Sequence, residues 1–225
     1  MDKSALIIGA GNGISGAFAR ELFNNNYKIC LASRNIENLK HIAQETDAMI
    51  CDVDCTSTES IKKLFSKFDQ EIGTPNVVLY NPSKRVKGKI TEIEIPSTID
   101  SINLNILGAF VTAQEAAKRM IPQKKGAILF TGATASIKGF PQSSVFAMGK
   151  FAIRGLAQSL YRELSPLGIH VAHFVIDGSV NKDPLTCFED KLSSSAIAKT
   201  YFSILNQPKE AWSHEIELRC FTEKF

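Results

Sequence analysis

The segment ALIIGAGNGISGAF, residues 5–18, indicates how the chain folds. Its first apolar residues predict a buried strand over 5–8, and the apolar pattern beyond the glycines predicts a helix over 16–24. Glycines between a strand and a helix allow a tight turn and a close backbone approach to a ligand. The helix N-terminus behind such a turn can bind a pyrophosphate. The segment therefore predicts a dinucleotide site at Gly9, Gly11, Asn12, Gly13 and Ile14.

Strand-like and helix-like segments alternate along the rest of the chain. Continuous apolar strands that alternate with helices indicate a parallel sheet covered on both faces. The sequence thus predicts a single doubly wound α/β domain of the Rossmann type over residues 1–225, with about seven strands. The polar stretch 177–195 breaks the alternation and is predicted to be a mobile loop over a site. The other predicted strands are 27–32, 48–51, 76–80, 126–131, 170–176 and 216–219, and the other predicted helices are 36–45, 58–72, 96–120, 144–164 and 195–206.

Composition restricts the classes of partner. The formal net charge of +3 is too small to indicate nucleic-acid binding. No apolar run approaches the roughly 20 residues of a membrane-spanning helix, and the run near the start is too short for a signal peptide. Five cysteines without a C-x-x-C pair suit reduced thiols, and four scattered histidines give no metal-ligand spacing. We therefore expect a cytoplasmic protein without a metal, membrane or nucleic-acid partner.

The end of the second predicted strand bears on the choice of cofactor. NAD-binding domains often carry an acidic residue there, which bonds the ribose 2′-hydroxyl. This chain has Ser33 and Arg34 instead, and a guanidinium can hold a 2′-phosphate through charge-assisted bonds. The pattern favours NADP(H) over NAD(H), with a solvated surface arginine as the alternative interpretation of Arg34.

Taken together, these segments resemble the short-chain dehydrogenase/reductase family over essentially the whole chain. Gly9, Gly13 and Ile14 match its glycine-rich turn, with Ser15 in place of its third glycine. The resemblance implies a nicotinamide dinucleotide, a small-molecule substrate, and a homodimer or homotetramer assembled through the helix that bears Lys150. It also implies cofactor contacts at Ser33, Arg34, Asp52, Val53, Asn81, Pro82, Ser83, Lys150, Gly178 and Val180.

The same resemblance locates an active site with two replaced residues. Members of the family use a tyrosine, a lysine, a serine and an asparagine. Lys150 and Asn105 keep two of these places, whereas Phe146 stands in the place of the tyrosine and Ala133 in that of the serine. Phenylalanine cannot donate a proton, and alanine cannot form a hydrogen bond through its side chain. We therefore expect ordinary carbonyl reduction to be severely impaired.

Two functions remain open at this stage. The first is an oxidoreductase for a carbonyl, an alcohol or an activated alkene, with the proton supplied by water, a substrate group or Asp177. The second is a catalytically silent NADP(H)-binding sensor or subunit. Retention of Lys150 and Asn105 favours the first, and Asp177 is read equally well as a cap for a turn. Other hydroxyls near these positions, for which capping is the first interpretation, are Thr131, Thr134, Ser143 and Ser144.

Overall fold

The computed structural model describes residues 3–181 and 189–223 of the 225-residue chain. Nine strands are formed within these ranges: β1 (Lys3–Ile8), β2 (Tyr27–Ser33), β3 (Met49–Asp52), β4 (Val77–Tyr80), β5 (Gly126–Thr131), β6 (Ile169–Asp177), β7 (Val180–Asn181), β8 (Leu192–Ser193) and β9 (Glu215–Arg219). The α-helices are α1 (Ile14–Phe23), α2 (Lys40–Thr46), α3 (Thr58–Glu71), α4 (Ile95–Ile102), α5 (Gly108–Met120), α6 (Ser144–Leu164) and α7 (Ser194–Leu205). Shorter helical turns cover Ile36–Leu39, Asn103–Leu107, Ile121–Gln123, Thr134–Ser136, Ser165–Leu167 and Lys209–Ala211.

Seven of the strands form one parallel sheet in the order β3-β2-β1-β4-β5-β6-β9. Successive side chains of a strand point to opposite faces, and both faces of this sheet are buried. Leu6 and Ile8 pack in the core that includes α3, α5 and α6. Ala5 and Ile7 pack in the core that includes α1, α2 and α7. The predicted doubly wound α/β domain of the Rossmann type, with about seven parallel strands, is confirmed.

The strand order reverses between β1 and β4, which places the loops after these two strands side by side. The backbone N–H of Asn81 donates to the carbonyl of Ile8 at 2.9 Å, and its side-chain amide donates to the carbonyl of Gly9 at 3.0 Å. Ligands of open α/β sheets bind in the crevice at such a reversal. The fold therefore locates the expected binding site at the glycine-rich turn.

Several boundaries differ from those predicted. The first helix begins at Ile14 rather than at residue 16, and segment 36–45 starts with a 3₁₀ turn before α2. The predicted helix 96–120 is interrupted near its start by the π-helical turn Asn103–Leu107. Strand β6 continues through Asp177, so the prediction of a loop from this residue onward is wrong. Part of the predicted loop, residues 182–188, lies outside the described residues.

The last strand, β9, lies at the edge of the sheet beside β6, in the segment where the final strand is predicted. Glu215 on β9 accepts two hydrogen bonds from the Arg154 guanidinium on α6, at 2.7 and 2.8 Å. The indole ring of Trp212 stacks on His170 at a centroid distance of 4.7 Å, which ties the connection before β9 to β6. None of the described helices, the 21-residue α6 included, is long and apolar enough to cross a membrane.

Candidate active site

A cavity of about 810 Å³ lies beside the loops that follow β1, β2 and β4. Gly9 has a φ of +76°, and a Cβ at this position would lie 2.5 Å from the backbone nitrogen of Pro82, so the turn requires glycine. A Cβ at Gly11 would meet no atom within 4 Å. The predicted cofactor residues that line this cavity are Gly9, Gly11, Asn12, Gly13, Ile14, Ser33, Arg34, Val53, Asn81, Pro82, Ser83 and Val180.

The start of α1 forms one wall of this cavity. Gly13 is the N-cap residue, no side chain caps the helix, and its first turn contains no acidic residue. The Ser15 hydroxyl accepts a hydrogen bond from the Gly11 N–H at 3.0 Å and so stabilises the turn. Uncapped N–H groups and the positive end of the helix dipole favour an anion at this wall. The turn therefore fits a phosphate group even though Ser15 replaces a glycine.

Arg34 lies at the cavity rim with an exposed side chain. In the part of the chain that the structure describes, no carboxylate forms an ion pair with its guanidinium, so Arg34 remains available to an anionic ligand. The neighbouring Ser33 hydroxyl is used locally, because it accepts from the Asn35 N–H at 3.1 Å. Asp52 ends β3 with an exposed side chain and does not line the cavity, in contrast to Val53. The predicted adenine contact at Asp52 therefore lies outside the cavity wall.

A second cavity, of about 600 Å³, continues from the first. The two cavities share four lining residues, which makes them one continuous cleft across the strand-order reversal. The shared residues are Ile14, Asn81, Ser83 and Val180. The second cavity is also lined by the predicted site residues Ala133, Phe146, Lys150, Asp177 and Gly178.

Lys150 lies at the base of the second cavity, with a side chain that is 2% exposed. Its ammonium group donates to the carbonyl oxygen of Thr131 at 2.8 Å and lies 5.8 Å from the centroid of the Phe146 ring. Burial lowers the pKa of Lys150 to about 8, because the charged form loses its hydration. An ammonium has three donors, so Lys150 can still donate to a ligand in the cavity.

Asn105 is not in contact with either cavity. Its side-chain amide is fully buried and donates to the Ser101 hydroxyl at 2.9 Å and to the Lys84 carbonyl at 3.1 Å. A Cβ at Gly149 would lie 2.9 Å from the Cβ of Asn105, so the π-helical turn packs tightly against α6 beside Lys150. The structure therefore gives the Asn105 side chain a positioning role behind the site.

The polar side chains near Ala133 and Phe146 differ in whether they have hydrogen-bond partners among the described residues. Asp177 accepts a hydrogen bond from the Thr134 hydroxyl and forms an ion pair with Arg219 at 2.7 Å. Thr131 shares a 3.1 Å hydrogen bond with Tyr201. Ser143 precedes α6 as its N-cap residue, yet its buried hydroxyl forms no capping bond and has no hydrogen-bond partner among the described residues. The Ser143 side chain therefore does not cap α6, and it lines the second cavity.

Comparison with known proteins places the chain in a family. The family model described as short chain dehydrogenase matches residues 3–181. The chain belongs to this family. An uncharacterized oxidoreductase of Staphylococcus aureus strain USA300 is 29% identical, with 97% of each chain covered.

Solved structures agree with this assignment. A short-chain dehydrogenase from Rhodopseudomonas palustris has a TM-score of 0.86 at 28% identity, covering 97% of this chain and 99% of its own. An alcohol dehydrogenase from the archaeon Thermococcus sibiricus, complexed with 5-hydroxy-NADP, has a TM-score of 0.89 at 23% identity, covering 99% and 98%. The second similarity shows the fold alone.

The second cavity of this short-chain dehydrogenase also contains residues that the sequence did not single out. The guanidinium of Arg85 lies 5.3 Å from the centroid of the Phe146 ring, and the Lys138 ammonium lies 5.6 Å from that of Phe140. Glu223, near the end of the described chain, also lines this cavity. No motif marks these residues, because they meet through tertiary packing of separate loops.

In the first cavity the residues missed are Ala10, Ser15, Asn35, Asn38, Cys55 and Leu104.

Proposed function

We propose that this short-chain dehydrogenase binds NADP(H) in preference to NAD(H) and is an oxidoreductase for a carbonyl, an alcohol or an activated alkene. Its active site is atypical, with Ala133 and Phe146 in the places of the usual serine and tyrosine. The observation that carries the proposal is the continuous cleft from Arg34 to Lys150, which combines a phosphate-binding turn with a buried cation. The 5-hydroxy-NADP complex of the Thermococcus sibiricus enzyme supports the choice of cofactor.

The residues of the cleft fit a dinucleotide. The turn at Gly9–Gly13 and the uncapped start of α1 would hold the pyrophosphate, and Arg34 would hold a 2′-phosphate. Lys150 would donate to the nicotinamide ribose, and Gly178 and Val180 would border the nicotinamide. When bound, the nicotinamide ring supplies or accepts a hydride.

Side chains of the second cavity can then assist the reaction at the substrate oxygen. The Ser143 hydroxyl has no hydrogen-bond partner among the described residues and can donate to an oxygen of the substrate. Lys150 is largely protonated at neutral pH and can stabilise negative charge there, or release a proton. The Phe146 ring covers the Lys150 ammonium without supplying a proton. Water or an acidic group of the substrate completes proton delivery.

The missing hydroxyls favour a second candidate, a catalytically silent NADP(H)-binding sensor or subunit. A panel of ketones and enones with NADPH separates the two candidates. We expect little reduction of ordinary ketones by the native protein, since general acid catalysis contributes about 10²–10⁴-fold. Turnover of any member of the panel favours the oxidoreductase, and binding of NADPH without turnover favours the sensor. Rapid reduction of simple ketones would contradict the proposal of an impaired active site.

The choice of cofactor is tested by the Arg34→Ala substitution. We expect NADPH to bind more tightly than NADH, and the substitution to weaken NADPH binding by at least about tenfold, because a charge-assisted bond to the 2′-phosphate is lost. NADH affinity should change little. Titration of the nicotinamide fluorescence measures both affinities, with Lys40→Ala on α2 as a control lysine outside the cleft. Equal affinities in the native protein, or unchanged NADPH binding in Arg34→Ala, would contradict the role of Arg34.

Assembly as a homodimer or homotetramer is part of the same proposal. Large apolar side chains are exposed on adjoining helical surfaces, with Phe110 of α5 47% exposed and Phe151 of α6 43% exposed. Such residues favour burial against a second copy of the chain. We expect the Phe110→Glu/Phe151→Glu variant to sediment as a 24.7 kDa monomer and the native protein as a multiple of this mass. Phe221→Glu, which changes an exposed residue outside these helices, is the control, and a monomeric native protein would refute the assembly.

We also propose that the protein works in the cytoplasm. Cys30 and Cys51 lie on the neighbouring strands β2 and β3, and both remain free thiols. Cys55 and Cys220 are free and buried as well. Free thiols are the expected state of cysteines in a reducing compartment.

A further inference from the structure

We propose that the substrate carries an anionic group, a carboxylate or a phosphate, which binds in the second cavity between Arg85 and Lys138. This inference rests on the proposed function, because it names the chemical class of substrate for the same site. Three observations support it. Two cations of the cavity lining have no ion pair among the described residues, the acidic residues of the lining are too few to neutralise its cations, and the buried Ser143 hydroxyl has no hydrogen-bond partner among the described residues.

The two cations are held over aromatic rings and not by carboxylates. Arg85 lies over Phe146 at 5.3 Å, and Lys138 lies over Phe140 at 5.6 Å. Within residues 3–181 and 189–223, neither cation forms an ion pair. A cation over a ring keeps most of its charge available, because the ring quadrupole stabilises it without neutralising it.

Two other lysines of the loop that bears Arg85 are paired. The Lys84 ammonium lies 2.9 Å from a carboxylate oxygen of Asp100, and the Lys89 ammonium lies 3.1 Å from one of Glu92. Both of these pairs are outside the cavity lining. The charges of Lys84 and Lys89 are thus compensated on the outer surface, whereas Arg85 and Lys138 at the cavity have no ion pair within the described residues.

The acidic residues of the lining do not cancel this positive charge. Asp177 is already paired with Arg219 at 2.7 Å. Glu223 lies beside Gly178, where a Cβ would be 3.0 Å from its carboxylate oxygen. Since Lys150 adds a third cation at the base, the described lining has an excess of positive charge.

The Ser143 hydroxyl adds a neutral donor to this group. It is buried, has no hydrogen-bond partner within residues 3–181 and 189–223, and lines the same cavity as Phe146. Buried polar atoms without partners are uncommon in folded proteins and are often satisfied by a ligand. An oxygen-rich anion can accept from Ser143, from the guanidinium of Arg85 and from the Lys138 ammonium. Phe146 provides a ring face on which the Arg85 guanidinium lies. It lacks the hydroxyl of a tyrosine, which would compete with the anion for the hydrogen-bond donors of the cavity.

The experiment compares a matched acid and ester, benzoylformate and methyl benzoylformate, by calorimetric titration of the NADP⁺-loaded protein. We expect the acid to bind at least about tenfold more tightly than the ester, because charged hydrogen bonds stabilise the bound carboxylate. This preference should disappear in Arg85→Met/Lys138→Met. It should persist in Lys87→Met, which changes an exposed lysine of the same loop outside the lining. Tight binding of phenyl phosphate would likewise support the shared anion chemistry.

Equal affinities for acid and ester in the native protein would overturn the proposal, as would a preference that survives in the double variant. Far-ultraviolet circular dichroism verifies that each variant is folded before titration. NADP⁺ binding is measured first, so a failure of the proposed cofactor site is recognised separately. If NADP⁺ does not bind, the same comparison on the unloaded protein still decides whether the anion site exists.

Discussion

The double variant Ala133→Ser/Phe146→Tyr is expected to reduce ketones with NADPH about 10²–10⁴-fold faster than the native protein. Both positions line the second cavity together with Lys150. A tyrosine at 146 would place a phenol near the Lys150 ammonium, which is 5.8 Å from the centroid of the present ring. The cation favours the phenolate and so lowers the pKa of the phenol toward the working range of a general acid. Loss of NADPH absorbance with a panel of aromatic and aliphatic ketones measures the gain.

The single variants and Phe146→Leu are the matched controls for this result. Each single variant should give a smaller gain than the pair, because catalytic groups that act as a unit are not additive. Phe146→Leu removes the ring without adding a hydroxyl and should give no gain. A double variant that binds NADPH as the native protein does, yet remains inactive on the whole panel, would contradict the idea that the two hydroxyls are what the site lacks.

Lys150→Met is expected to make the ligand-free protein more stable at pH 7, by about 2 kcal/mol. The Lys150 side chain is buried, and among the described residues its ammonium donates to the Thr131 carbonyl and not to a carboxylate. A pKa lowered from 10.5 to about 8 corresponds to a cost of about 3 kcal/mol for keeping the ammonium charged in the folded state. Loss of the bond to Thr131 offsets about 1 kcal/mol of the gain. Urea unfolding of both proteins measures the difference.

The sign of the pH dependence follows from the same pKa. Below pH 8 the lysine is charged in both folded and unfolded chains, so the full cost is present in the native protein. Between pH 8 and 10.5 the folded state loses its proton first, and native stability rises toward that of the variant. His173 on β6 interacts with Lys150, but burial lowers its pKa to about 4 and keeps it neutral in this range. The advantage of the variant should therefore be largest near neutral pH and be lost above about pH 10.5, where the native protein keeps only the favourable bond to Thr131.

An exposed lysine gives the control for this prediction. Lys87→Met should leave stability nearly unchanged at every pH, as surface substitutions usually do. A Lys150→Met variant that is less stable than the native protein at pH 7 would show that packing and the Thr131 bond outweigh the cost of the buried charge. A difference that does not depend on pH would show that titration of Lys150 is not its cause.

Most of the fold could be predicted because its signals are local. Strands such as Gly126–Thr131 and helices such as Ser144–Leu164 have the predicted limits, since continuous apolar runs and helical periodicity are read within each segment. The start of α1 was predicted two residues too late because Ile14 and Ser15 lie between glycines and were interpreted as part of the turn. Inside the helix Gly16 has a packing role, as its Cβ would lie 2.9 Å from a side-chain carbon of Ile42.

The candidate site could be predicted only where a motif runs along the chain. The glycine-rich turn and Lys150 line the cleft as expected. Arg85 and Lys138 were missed because their positions over Phe146 and Phe140 depend on the packing of separate loops. The pairing of Asp177 with Arg219 could not be predicted either, because it joins positions far apart along the chain and leaves no trace in the local sequence.

The buried amide of Asn105 holds the backbone segment that runs from one cavity to the other. It donates to the carbonyl oxygen of Lys84, which lies between Ser83, a residue that lines both cavities, and Arg85, which lines the second. A ligand that shifts either neighbour therefore acts on the same short piece of backbone. Thermodynamic linkage requires any such effect to be reciprocal, so a substrate that tightens NADP(H) binding must itself bind more tightly after NADP(H). Coupling between the binding of the two ligands would then pass through residues 83–85 and would need no domain movement.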